Sequence, residues 1–186
     1  MPERRYKRDK NNLRSPERVS LMEVDRVVRL SLEAFPAKSV LDVGTGTAVF
    51  AEAFSAGGLA VAGIDANPEM VKASQELIPN GQFMTGLAEK IPFPDGSYDL
   101  VIMSHVLHET DQPVTALREA RRVATLGVVI LEWPYDEDNP GPPLAHRLKP
   151  EEIQTMAGQA GFTHIRYISL TYMNLFLLSR NPDPTR

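Results

Sequence analysis

Apolar positions along this chain fall into short runs separated by turns, and the runs alternate between two periods. Ser39-Val-Leu-Asp-Val43 is a brief, nearly continuous apolar run rich in β-branched residues, the mark of a strand buried on both faces. Over residues 47–54 the spacing becomes helical, and Gly57-Gly58 ends it. Residues 59–64 predict a second strand. Asn67-Pro68 then predicts a helix start, with Asn as N-cap and Pro at the first helical position, running to about Leu77. Pro79-Asn80-Gly81 turns the chain into a short third strand, Gln82–Thr85. Pro92-Phe-Pro-Asp-Gly96 predicts loop, because two prolines and an Asp-Gly pair are incompatible with regular structure. A fourth strand follows over 98–103, an amphipathic helix over Pro113–Val123, and an almost wholly apolar fifth strand over 127–133. Pro134, Pro140, Pro142 and Pro143 mark a long irregular loop, and Pro150 opens a helix that stops before Gly161. The strand-like runs 162–170 and 172–179 have almost no linker between them. They must pair antiparallel, since a parallel return needs a dozen or more residues. Upstream, Ser15-Pro16 starts a helical pattern carried by Leu21, Val24, Val28 and Leu32.

Strand, turn and helix in repetition predict βαβ units and an α/β fold. The expected architecture is a doubly wound sheet of seven strands, mostly parallel, with one reversed strand near the C-terminus. At 186 residues the chain has the length of one domain. That domain is expected over residues 15–180, between a basic N-terminal tail (1–14) and a short tail (181–186).

Composition narrows the chemistry. The chain has no cysteine, which excludes disulfides, thiolate metal sites and cysteine nucleophiles together. No histidine stands with carboxylates at metal-ligand spacing, so no metal is expected. No apolar run approaches the ~20 residues that span a bilayer, and the N-terminus lacks a signal peptide's apolar stretch; a cytoplasmic protein with no membrane span is expected. A formal charge of −4 gives no general pull toward nucleic acid. Arg4, Arg5, Lys7, Arg8, Lys10 and Arg14 nevertheless make the N-terminus basic, either as a solvated tail or as a lid over an anionic substrate.

Open parallel sheets bind ligands at the carboxyl ends of their strands, beside the first strand where the winding reverses. Here that point is Asp42-Val-Gly-Thr-Gly-Thr-Ala48. Gly44 and Gly46 let the backbone turn sharply and approach a ligand without a Cβ in the way. The free N–H groups at the following helix start favour an anionic group such as an amino-acid carboxylate. Asp42 places negative charge where a cationic amine or sulfonium can sit. A dinucleotide fingerprint G-x-G-x-x-G fails, because its third glycine falls on Val49. Asp65, at the end of the second strand, can accept both hydroxyls of a ribose, or it can cap the helix that follows.

Four segments in order resemble successive motifs of the class I S-adenosylmethionine-dependent methyltransferases: Leu41-Asp-Val-Gly-Thr-Gly-Thr-Ala48, Gly63-Ile-Asp-Ala-Asn-Pro-Glu-Met70, Ala88-Glu-Lys-Ile-Pro-Phe-Pro-Asp-Gly-Ser-Tyr-Asp99 and Ser104-His-Val-Leu-His-Glu109. The chain is most similar to the small methyltransferase type 11 group, which includes enzymes that methylate quinones and other small molecules. The resemblance implies a Rossmann-like sheet and S-adenosyl-L-methionine as cofactor. It places Asp42, Val43, Gly44, Thr45 and Gly46 around the methionine portion and Asp65 on the ribose. Ala66 and Met70 would pack near the adenine, Leu87, Ala88 and Glu89 would border its edge, and Ser104 and His105 would close the site after the fourth strand. Two departures stand out. Ala48 replaces the third glycine, a sterically mild change, and Leu87 stands where an Asp often accepts the adenine amino group.

A sulfonium is already a good leaving group, so the protein must chiefly align donor and acceptor and exclude water. A base is needed only where the acceptor carries a proton that must leave early. His108 and Glu132 are the catalytic candidates, among the groups where strands four and five end: His105, His108, Glu109, Glu132, Trp133 and Tyr135. His108 suits a base at neutral pH, or it orients the next helix. Glu132 needs either a structural partner or a role in the site, since an unpaired carboxylate at the end of an apolar strand is costly. Trp133 either walls an acceptor pocket or packs in the core. The expected function is methyl transfer to a small-molecule acceptor; the alternative is a cofactor-binding but non-catalytic partner or regulatory subunit.

Overall fold

A computed structural model describes residues 14–180. The expected tails, except Arg14, lie outside the described residues. The elements run α1 (Pro16–Leu21), α2 (Val24–Ala34), β1 (Ser39–Val43), α3 (Val49–Ala56), β2 (Ala60–Asp65), α4 (Pro68–Leu77), β3 (Gln82–Thr85), β4 (Tyr98–Ser104), α5 (Pro113–Val123), β5 (Ala124–Glu132), α6 (Pro150–Gln159), β6 (His164–Ser169) and β7 (Asn174–Ser179). Seven strands form one sheet in the order β3-β2-β1-β4-β5-β7-β6. All neighbours from β3 to β5 pair in parallel, while β7 lies antiparallel to both β5 and β6. The reversed strand is therefore β7, inserted one place in from the edge.

Alternation along the strands feeds two cores. Leu41, Val43, Ile64, Val101, Met103, Val128 and Ile130 face α5 and α6. Val40, Val61, Leu100, Ile102, Val129 and Leu131 face α2 and α3. The two windings diverge between β1 and β4, so a crevice opens above the carboxyl ends of those strands.

Three backbone features depart from the sequence expectation, and two concern helices. The N-terminal helical pattern is not continuous: α1 and α2 meet at Glu23, which is left-handed at φ 47°. The Glu23 carboxylate accepts the backbone N–H of Thr171, 2.6 Å away in the β6–β7 turn, and this tertiary bond sets the break. The helix after the glycine turn starts at Val49 rather than Thr47, because Ala48 is itself left-handed at φ 59°. The third is at the strand ends, where β5 begins at Ala124 and β6 and β7 are shorter than their apolar runs. Among the described residues no helix is long and apolar enough to cross a membrane.

Candidate functional site

The turn after β1 is tied down before any ligand is considered. The backbone N–H groups of Gly44 and Thr45 donate to the Ile64 carbonyl at 2.8 and 2.9 Å, bringing the turn against β2. Gly44 (φ 69°) and Gly46 (φ 53°) are left-handed, where a Cβ is disfavoured. A Cβ on Gly44 would also collide with Cγ2 of Val106, so the loops after β1 and β4 touch backbone to side chain. The Gly46 carbonyl accepts from the hydroxyl of Ser74, a fully buried α4 residue that no sequence motif marks.

Asp65 closes the same turn. Its Oδ2 accepts the Gly46 N–H and its Oδ1 the Asn67 N–H, both at 2.8 Å, while Asn67 itself caps α4. Each oxygen retains a second lone pair, and Asp65 lines the cleft. Burial raises its carboxyl above the usual range, against the lowering effect of those two N–H groups. Asp42 is more deeply enclosed, at 2% exposure, with its Oδ2 accepting the Thr45 hydroxyl at 2.9 Å. Burial pushes its carboxyl up to about 7, opposed by the Thr45 and Ala51 hydrogen bonds and reinforced by the Asp65 charge.

The cleft above β1 and β4 has a volume of about 380 Å³, within the ~300–1,000 Å³ of small-molecule sites. It is bordered by Asp65, Ala66, Met70, Leu87, Ala88 and Glu89, and by Gly44, Gly46, Ser104 and His105. Leu87 is 42% exposed at this wall and supplies no acceptor side chain there. A smaller hollow of about 70 Å³ continues behind the glycine turn and is bordered by Asp42 and Thr45. Val43 is the expected residue whose side chain does not come to either space; it is fully buried in the α5–α6 core.

Sequence reasoning missed Arg18, which borders both the cleft and the small hollow from α1. Its guanidinium lies 5.8 Å from the centre of the Trp133 ring. No local pattern in a six-residue helix marks such a residue; α1 carries it to the cleft just before the bend at Glu23. Arg14 is held close by, its Nη1 donating to the Thr47 carbonyl at 2.6 Å.

The groups after β4 and β5 sort themselves by depth. His105 is left-handed at φ 58°, packs 4.7 Å from the Trp133 ring, and places Nε2 3.2 Å from the Met173 sulfur. Burial holds its imidazole well below the ordinary value, with the Arg18 and His108 charges adding, so it is neutral. Trp133 is buried at 5% exposure and does not border the cleft. His108 and Glu132, the catalytic candidates, do not border it either. His108 Nδ1 donates to Glu132 Oε2 at 2.7 Å, and its backbone N–H donates to Oε1 at 3.2 Å. Burial alone would lower the His108 pKa; the Glu132 carboxylate outweighs it, with help from Glu109, and the net shift is upward. Glu109 does border the cleft, with Oε1 3.8 Å from His108 Nε2. Burial pushes its carboxyl up to about 7, while His108 pulls the other way.

Residues 41–131 match the methyltransferase domain family. The demethylmenaquinone methyltransferase of Renibacterium salmoninarum is 33% identical over 117 residues, covering 62% of this chain and 49% of that protein. That of Streptomyces griseus is 34% identical over 110 residues, covering 58% of this chain and 48% of that protein. The chain thus spans about half the length of these curated relatives. Among solved structures, a SAM-dependent methyltransferase from Aquifex aeolicus superposes with a TM-score of 0.82 at 26% identity, covering 92% of this chain and 98% of that one.

Proposed function

Because the chain belongs to the class I S-adenosylmethionine-dependent methyltransferases, we propose that it moves a methyl group from that cofactor to a small organic acceptor, with residues 15–180 acting as one domain. The observation that carries this reading is the junction of the glycine turn with Asp65. Bare backbone at Gly44 and Gly46 borders the cleft, and a carboxylate already fixed by two N–H bonds borders it one strand over. That junction suits a nucleoside with an amino-acid tail. Asp65 would take the ribose hydroxyls, and Ala66, Met70, Leu87, Ala88 and Glu89 would enclose the base. Gly44 and Gly46, with Asp42 and Thr45 behind them, would hold the methionine portion, and Ser104 and His105 would close the site. The part expected of Val43 is confined to its backbone.

When bound, the cofactor supplies a methyl group already activated on a positive sulfur. What remains for the chain is positioning and exclusion of water, and such alignment can supply ~7–11 kcal/mol of barrier reduction. His105, uncharged and packed against Trp133 and Met173, serves as a dry wall. His108 and Glu132, turned toward each other, act from behind the site rather than on the acceptor directly.

Purified protein is expected to be stabilised thermally by S-adenosylhomocysteine, by about 2.7 kcal/mol at 100 times Kd. It is also expected to release that product from S-adenosylmethionine in the presence of an acceptor. Quinols lead the acceptor panel, followed by phenols, amines and carboxylates, because the curated relatives act on demethylmenaquinone by name. No stabilisation would sink the reading. Stabilisation without product release from any acceptor would favour the non-catalytic binding partner.

A further inference from the structure

Glu109 is the one carboxylate of the buried cluster that reaches the cleft, and the proposed function gives it no task. Behind it stand two groups that are costly to bury, Glu132 at 1% and His108 at 8% exposure. Placing a carboxylate and an imidazole there is expensive unless they are paired, and they are paired with each other. Their geometry has a direction. Glu132 accepts from Nδ1, so the imidazole is held with Nε2 toward Oε1 of Glu109.

The place of Glu109 along the cleft follows from its neighbours. It borders the same cleft as Asp65 and Arg18, and its backbone N–H bonds to the carbonyl of Val106, whose side chain packs against Gly44. In an adenosylated methionine the sulfur joins the sugar to the amino-acid tail, so it falls between the group that grips the ribose and the turn that holds the tail. We propose that Glu109 faces the positive sulfur of the bound cofactor, as an ionisable counter-charge that distinguishes the methyl donor from its neutral thioether product. His108 and Glu132 are positioning residues behind it. This inference rests on the methyltransferase reading of the same cleft.

The chemistry gives such a group a use. Donor and product differ by one methyl and one positive charge, and methyl transfer removes both. A carboxylate opposite the sulfur holds the donor more tightly than the product and loses its counter-ion when the methyl leaves, which favours product release. The charged or titratable groups within electrostatic reach of Glu109 are His108 on the same turn, Glu132 from β5, Asp65 from β2 and Arg18 from α1. Glu89 and His105 border the same cleft. Burial keeps Glu109 near the midpoint of its titration at neutral pH, so the discrimination must change with pH in that range.

The test uses the full chain and binding alone. Calorimetric affinities for S-adenosylmethionine and S-adenosylhomocysteine are measured from pH 5.5 to 8.5 for the wild type, Glu109→Gln and His108→Gln. In the wild type the preference for the charged donor is expected to rise about tenfold with pH, the effect of one pKa unit of lowering by the cation. Glu109→Gln is expected to bind the product and to show no such rise. His108→Gln removes a group that favours ionised Glu109, so the midpoint of the rise is expected to move to higher pH. A preference in the wild type that does not change with pH, or one whose rise survives in Glu109→Gln, overturns the assignment. An unmoved midpoint in His108→Gln removes His108 from it. If the wild type binds neither nucleoside, the underlying functional reading fails instead.

Discussion

Asp42 carries a carboxyl that burial has moved from about 3.9 in an unfolded chain to about 7 in the folded one, and the sign of its effect follows. Below pH 4 the group is protonated in both states and costs nothing. As pH rises, the unfolded chain ionises first, and stability is lost progressively until the folded pKa is passed. Above it the full cost applies, on the order of 4 kcal/mol. Asp42→Asn should therefore melt higher than the wild type at pH 8, with the difference shrinking toward pH 4. Because Glu109 titrates in the same window with the same sign, the informative quantity is the wild-type minus variant profile from urea denaturation. A constant difference across that range would show that Asp42 is not the buried acid. The burial is tolerated because Thr45 and the Ala51 N–H hold the carboxylate beside the glycine turn. At this scale the sequence was most legible where a residue's type is dictated by its own backbone, as at Gly44 and Gly46. Arg18 and the division of labour among His108, Glu109 and Glu132 were not legible. Their roles depend on which way a side chain faces, and His108 and Glu132 are 24 residues apart.

The loop between β5 and α6 reads in sequence as long and irregular, and irregular it is, apart from a single turn at Leu144–His146. Yet it is pinned by one buried side chain. Arg147 donates to the carbonyls of Pro142 (2.7 Å), Pro134 (3.0 Å), Asp136 (2.6 Å) and Asn139 (2.9 Å). Prolines explain the arrangement: they have no N–H to build a ladder, so the loop's carbonyls need a donor from elsewhere. Gly141, at φ 139°, lies against the Trp133 ring, where a Cβ would come within 2.8 Å. Arg147→Ala should release the loop without unfolding the sheet. Amide exchange over residues 134–149 should accelerate at least about tenfold, while β4 and β5 stay protected. Trp133 is the single tryptophan of the chain, so its emission should shift to the red as the loop lifts away. Unchanged exchange in the loop would contradict the clamp. The break between α1 and α2 is of the same kind, set by a bond from Glu23 to a turn 148 residues away. A helical period over residues 16–32 cannot reveal it.

For the whole molecule, the consequence of the β7 insertion is that the last strands complete the core. Phe176 is fully buried, sits opposite Ile130 in the sheet and stacks on Tyr167 at 5.1 Å. Phe176→Ala should cost about 3–5 kcal/mol. The loss should appear as a lower urea midpoint for one cooperative transition followed through Trp133, because β5 and β7 share one sheet with β1, β2 and β4. A separate early transition would mean that the C-terminal pair folds as an appendage. The sequence by itself determined the order of elements, the mostly parallel sheet with a reversed strand near its end, and the glycine turn on which the site is built. Those features reside in hydrophobic period, turn residues and linker length, which act between neighbours along the chain. Only the tertiary structure decided that β7 lies between β5 and β6, that α1 brings Arg18 to the cleft, and that Glu132 turns to His108 while Glu109 borders the cleft. Each of these is a choice of partner between distant residues, and that choice is made by which burial leaves no charge or donor unmatched.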